Sequence, residues 1–143
     1  MTDQETASVR AAIDRRGLND VVHLCGVVSG AAKQHAFAEA DVLYLPTHWD
    51  AFPVVVLEAM AAGLPVVSTC IGGLPSMVEH GHGALLGPVG DAEQQAEHLL
   101  RLARAPAERQ AMGRVNRERF QATSHPDVVG QAAVDLYRRV LAR

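Results

Sequence analysis

DAFPVVVLEAMAAGLPVVSTC, residues 50–70, reads as a loop, a helix and a strand in succession. Pro53 suits a first helical position, VVVLEAMAA continues the helix at a small propensity cost for its β-branched residues, and Gly63 stops it. PVVSTC then reads as a buried strand. One charge interrupts this apolar run: Glu58 is the only Asp, Glu, Lys or Arg between Asp50 and Glu79. Burying a lone carboxylate costs several kcal/mol unless it is paired or stays near water. Glu58 therefore needs a partner, a ligand or a place at the mouth of the core.

The same alternation extends outward. Upstream, residues 3–16 read as a helix with a Thr2–Glu5 capping box at its start. VVHLC (21–25) reads as a short buried strand, SGAAKQHAFAEA (29–40) as a helix capped near Ser29, DVLYLP (41–46) as a strand and THWDAF (47–52) as a loop. Downstream, IGGLPSMVEHGHG (71–83) is a glycine-rich turn with a short helix, and ALLG (84–87) a further strand. Strands alternating with helices imply right-handed crossovers and a parallel sheet covered on both faces, with strands apolar throughout. The expected class is α/β, a Rossmann-like sheet within a single domain over residues 1–143. From Asp91 the pattern turns purely helical, at about 91–104, 107–121 and 126–142, so that residues 91–143 form a C-terminal helical segment. The last helix carries Val128, Val129, Ala132, Ala133, Leu136, Tyr137, Val140 and Leu141 on one stripe that must pack on something.

Length and charge narrow the classes. With 143 residues, 48% of them hydrophobic, the chain suffices for the core of one globular domain. A net charge of −3 gives no bulk attraction to nucleic acid or an anionic membrane. No Lys or Arg occurs from Gln34 to Leu100, and nine of the thirteen lie from Arg101 onward, where they fit solvated helix faces. Cys25 and Cys70 form no metal-ligand spacing, no apolar stretch is long enough to span a bilayer, and the first residues contain no secretory signal core. A cytoplasmic protein is expected.

In an open parallel sheet, ligands bind beyond the carboxyl ends of the strands, which directs attention to the THWDAF and CIGGLP loops. Each leads into a helix N-terminus, where free N–H groups and the helix dipole favour an anion. Gly72 and Gly73 permit close backbone approach, although a glycine pair alone equally makes a tight turn. Asp50 precedes the helix and Glu58 follows eight positions later, so two carboxylates stand ready to accept hydrogen bonds from a polyhydroxylated ligand. The competing reading makes Asp50 a helix-cap acid and pairs Glu58 with a histidine or a backbone amide. His48 and Trp49 face the same crevice and suit stacking. His80 and His82 flank Gly81 without a third ligand, so no metal site is expected.

The stretch from SGAAKQHAFAEADVLYLP through LEAMAAGLPVV, the GG loop and GHGALLGPVGD resembles the donor-binding C-terminal domain of retaining group 1 (family 4) glycosyltransferases of the two-domain B type, over about residues 21–141. The resemblance implies that Glu58 binds the ribose hydroxyls of a nucleotide-sugar donor. By the same resemblance Asp50 lies at the donor sugar and is the catalytic residue. It implies further that Phe52, Pro53, Val54 and Val55 offer backbone N–H groups to the sugar and diphosphate, and that Gly72 and Gly73 line the cleft. It implies no metal or other cofactor, the nucleotide sugar being a substrate.

Three positions depart from the family pattern. The family usually has glutamate at Asp50 and glycine at Ala51, and often glutamate at Ser76. Its first strand and helix, with the basic residues that neutralise the diphosphate, have no counterpart here, nor does the acceptor-binding N-terminal domain. The expected architecture is thus the donor half of a B-type fold without its first strand. Its expected partners are a nucleotide sugar, a complementary N-terminal domain or chain, and a second copy of itself through an open sheet edge or the last helix. Two rivals remain: a nucleotide-sugar epimerase on the same plan, and a non-catalytic module that binds a nucleotide sugar or a partner chain.

Overall fold

The computed structural model describes residues 3–142 and divides into two compact units, one up to Gln34 and one from His35. In the first unit, α1 (Asp3–Arg15) ends where Gly17 adopts φ 63°. Leu18 N–H donates to the Ile13 carbonyl and Gly17 N–H to that of Asp14, both at 3.1 Å, the paired closure that a left-handed glycine permits. Thr2 of the expected capping box lies outside the described residues. The expected strand at 21–25 does not form: residues 22–26 have no regular structure, and Val21 and Val22 are exposed. A strand persists only through pairing, and the described residues of this unit contain no other strand.

Residues Gly30–Glu39 form α2, whose start follows Ser29 as its sequence requires. The second unit then runs β1 (Leu43–Leu45), α3 (Val54–Ala62), β2 (Val66–Thr69), α4 (Leu74–Met77), β3 (Ala84–Gly87), α5 (Ala92–Arg104), α6 (Pro106–Thr123) and α7 (Pro126–Leu141). The three strands are parallel in the order β1-β2-β3, with Leu43 opposite Val66 and Val66 opposite Ala84. Every residue of β2 and β3 is buried. Alternate side chains enter two cores: Val66, Ala84 and Leu86 pack with Val56, Ala59 and Met60 of α3, whereas Val67 and Leu85 pack with Leu102 of α5 and Met112 of α6. This two-sided burial explains why the strands carry no polar alternation.

Pro53 sits one position earlier than its sequence role suggests, as the N-cap of α3 with extended backbone. At the other end Gly63 (φ 77°) closes the helix onto the carbonyls of Ala59 and Met60. There α6 comes close enough that a Cβ on Gly113 would lie 2.0 Å from the Gly63 carbonyl oxygen. Next to this contact Asn116, buried to 1% exposure, donates through Nδ2 to the carbonyls of Leu64 and Gly83, both at 2.8 Å. One side chain of α6 thus satisfies two loop carbonyls at the amino ends of β2 and β3. By contrast α7 buries none of its residues, and Val129, Leu136, Tyr137 and Leu141 remain exposed. The apolar stripe has no full cover within the described residues.

On the α5 side, the His80 ring lies 6.2 Å from that of His98, and His80 Nδ1 accepts the Leu86 N–H at 3.0 Å. His98 Nδ1 is buried without a hydrogen-bond partner. Burial, reinforced by His80 and Arg101, lowers the His98 pKa below its usual 6.5 against the opposing pull of Glu97 and Asp91.

Two predictions follow from this packing. Gly113→Ala should destabilise the fold by about 2–3 kcal/mol, because the added methyl meets backbone rather than a yielding side chain; denaturant unfolding measures it, and a loss near zero would show that the α3–α6 contact relaxes freely. Since the unfolded chain protonates His98 at a pH where the folded chain resists it, stability should fall as the pH drops below 6.5, until the lowered folded value is reached. Urea midpoints at about pH 7.5 and about pH 5.5 test this, with His98→Gln showing the smaller drop; equal drops would exclude His98 as the source.

Candidate functional site

Two loops leave the carboxyl ends of β1 and β2 side by side. Serine and threonine hydroxyls of β2 fasten the first: Ser68 Oγ donates to the Leu45 carbonyl and Thr69 Oγ1 to the Thr47 carbonyl, each at 2.6 Å. Thr47 in turn closes a turn with Trp49, through contacts of 3.1 and 3.3 Å. Asp50 Oδ1 accepts the Phe52 N–H at 3.0 Å, an Asx turn that carries the chain into α3. Asp50 is accordingly a local turn former, with Oδ1 committed to that turn.

Gly72 and Gly73 press directly on this loop. A Cβ at Gly72, which has φ 56°, would lie 1.9 Å from the Asp50 carbonyl oxygen, and one at Gly73 would lie 2.2 Å from that of Ala51. The sequence places these glycines along a cleft; the close approach they permit is spent on the chain's own backbone. The two loops brace each other, with the Phe52 ring against Gly73.

Beyond the brace lies the start of α3. Pro53 provides no side-chain cap, and no acidic residue occupies the first turn. Of the four residues expected to offer N–H groups, Phe52 has committed its own to Asp50 and Pro53 has none to give. Val54 and Val55 retain theirs without an acceptor among the described residues. Val54 is 62% exposed and Pro53 is buried, so this N-terminus is open to solvent on the Val54 side. Glu58 stands half-buried on the second turn of the same helix, where it has an interaction within the molecule. Trp49 and Phe52 are exposed beside it in sequence, at 75% and 53%.

A cation reaches this region from a part of the chain that sequence spacing did not single out. A cavity of about 220 Å³ lies between Phe52, Leu57, Ser76, Met77 and Arg119. Arg119 Nη2 of α6 donates to the carbonyl of Ser76 at 2.9 Å. Arg119 belongs to an unremarkable run of charges on a helix, and only the α3–α6 packing brings it to Phe52. His80 and His82 do not converge: His80 bonds the Leu86 amide, whereas His82 Nδ1 lies 3.2 Å from Glu79 Oε1. Among the described residues no group of three or more His, Cys, Asp or Glu is placed to hold a metal ion, and no helix is long and apolar enough to cross a membrane.

The family model for glycosyl transferases group 1 matches residues 3–119, and the chain belongs to that family. It is 36% identical over 126 residues to a D-inositol 3-phosphate glycosyltransferase of Saccharomonospora viridis, covering 88% of this chain and 29% of that protein. It is 37% identical over 108 residues to the amylovoran biosynthesis glycosyltransferase AmsK of Erwinia amylovora, covering 71% and 26%. Among solved structures, sucrose-phosphate synthase of Thermosynechococcus elongatus superposes with a TM-score of 0.85 at 28% identity, over 97% of this chain and 35% of that one. Anabaena HepE in complex with UDP superposes with a TM-score of 0.82 at 23% identity, over 93% and 36%. The chain thus spans between 26% and 36% of the length of these four proteins, with the α/β architecture of the two-domain B-type glycosyltransferases.

The loop brace can be tested directly. Gly72→Ala should cost about 2 kcal/mol or more, from a strained left-handed alanine and a clash with the Asp50 carbonyl. Near-wild-type stability in thermal unfolding would mean that the two loops part easily.

Proposed function

We propose that this chain supplies the donor-binding part of a glycosyltransferase that takes a sugar from a nucleotide-sugar donor and passes it, with retention, to an acceptor hydroxyl. The observation that carries the reading is the uncapped start of α3, with the Val54 and Val55 N–H groups unspent and Glu58 one turn further along the same helix. In this reading the two N–H groups and the helix dipole receive the donor diphosphate, and Glu58 accepts hydrogen bonds from the ribose hydroxyls. Asp50 directs its second carboxylate oxygen to the donor sugar. Phe52 and Pro53 shape the approach, and Gly72 with Gly73 holds Asp50 in place through the backbone. Family membership supports the reading, as do the structures of the HepE protein with UDP and with UDP-glucose.

The bond between the anomeric carbon and the diphosphate oxygen breaks as the acceptor oxygen bonds to the same carbon. The acceptor's proton leaves with the nucleoside diphosphate. No metal enters this scheme; placement of the donor and stabilisation of the leaving diphosphate do the work. A complementary acceptor-binding domain or chain completes the site, in the cytoplasm, and the uncovered stripe of α7 is a face for that partner or for a second copy of the chain. A second reading, a non-catalytic binding module, is favoured by the absence of Lys and Arg from Gln34 to Leu100, so that the two loops and the start of α3 carry no positive charge of their own.

Calorimetry with UDP-glucose, followed by donor hydrolysis with and without a complementary N-terminal domain, separates these. Glu58→Gln should keep the fold and weaken binding by about ten-fold or more, the worth of charge-assisted hydrogen bonds to a vicinal diol. Unchanged affinity in a folded variant would remove Glu58 from the donor site, and absence of any nucleotide binding would favour the partner-binding module.

A further inference from the structure

A second pocket opens at the carboxyl ends of the strands, on the α5 side of the sheet. It has a volume of about 370 Å³ and is lined by Tyr44 of β1, His48 of the following loop, Thr69 at the end of β2, and Asp91 and Gln95 at the start of α5. This volume falls within the roughly 300–1,000 Å³ of small-molecule sites, and the carboxyl ends of parallel strands are where such sites collect. Of its lining residues only His48 was expected from sequence to face the donor crevice, and none belongs to the α3 start or the Gly72–Gly73 turn.

Its polar groups favour one kind of ligand. The only formal charge in the lining is the Asp91 carboxylate, with no Lys or Arg, so a phosphate is disfavoured there. Asp91 is fixed: its Oδ1 accepts the Gln94 N–H at 2.9 Å as the N-cap of α5, leaving Oδ2 as an acceptor. Gln95 is buried to 3% exposure and held by Nε2, which donates to the Ser68 carbonyl at 3.0 Å, while its Oε1 has no partner. Thr69 has committed its proton to the Thr47 carbonyl and presents lone pairs. Three acceptors thus wait for donors, beside an aromatic ring, that of Tyr44, left 43% exposed.

We propose that this pocket binds a neutral sugar or cyclic polyol. Such a ligand brings several hydroxyl donors for Asp91, Gln95 and Thr69 and sets an apolar C–H face on Tyr44. His48, with a donor and an acceptor nitrogen, completes the ring of contacts. The proposal goes beyond the donor site and stands whether or not the donor reading does.

Amide shifts of the full 143-residue chain, titrated separately with glucose, mannose, myo-inositol, glucose 6-phosphate and uridine, test it. The expected result is saturable shifts at Tyr44, His48, Thr69, Asp91 and Gln95 with at least one neutral polyol, in the millimolar range, and weaker binding of glucose 6-phosphate at low salt. Gln95→Leu should reduce polyol affinity about ten-fold. Should that variant fail to fold, Tyr44→Ala, at an exposed position, should give a comparable reduction. Polyol shifts centred on residues 50–58, no saturable shift with any polyol, binding of uridine alone, or unchanged affinity in folded Tyr44→Ala would each overturn the proposal. Calorimetric loss of UDP-glucose binding together with intact polyol shifts would overturn the donor reading alone.

Discussion

The burial of β2 on all sides is the constraint on which the second unit is built. Val66 and Val67 are fully buried and face opposite cores, and complete burial of such side chains is worth about 1.5–3 kcal/mol each. A strand of this kind requires a neighbour on each edge and a helix on each face, and β1, β3, α3 and α5 meet that demand. Its polar residues come last: Ser68 and Thr69 are buried yet satisfied, because their hydroxyls bond the chain emerging from β1. The strand therefore sets the position of the loop that carries Asp50, and through the glycine contacts the loop braces the turn that follows β2. Chemistry at the carboxyl end is placed by hydrophobic burial in the middle.

Much of this was legible in the residues. Gly63 as a helix stop, the strand after Pro65, the short helix after the glycine pair and the three C-terminal helices all follow from local signals that packing reinforces. The strand expected at VVHLC does not form, because β-structure depends on a partner strand and that information is not carried by five residues. Pro53 lies one residue outside the helix that its sequence role suggests it opens, a boundary that hinges on the extended backbone conformation preceding Val54.

The candidate site divides in the same way. The acids and the helix start between them were visible as departures from an apolar pattern. The role of Gly72 and Gly73 was visible only in kind: the sequence announces close approach but not what approaches. Gln95, Asn116 and Arg119 carried no signal, since Gln, Asn and Arg on amphipathic helices are ordinarily solvated. Burial gives the first two their roles, and a crossing of distant helices gives Arg119 its own. Tyr44 likewise reads as one more apolar strand residue, and only the reach of α5 over β2 and β3 leaves its ring open.

Asn116 has a further consequence for how this architecture can be divided. Its amide bonds carbonyls far from it in sequence, and it sits where α6 meets the end of α3 and the turn before β3. The sheet and α6 are therefore joined by more than apolar contact. A chain cut after α5 would keep every strand and the whole loop brace, yet it would leave the Leu64 and Gly83 carbonyls without their shared donor and open the apolar face of α3. The smallest autonomous unit around the site thus extends into α6, and the C-terminal helix pair is divisible only between α6 and α7.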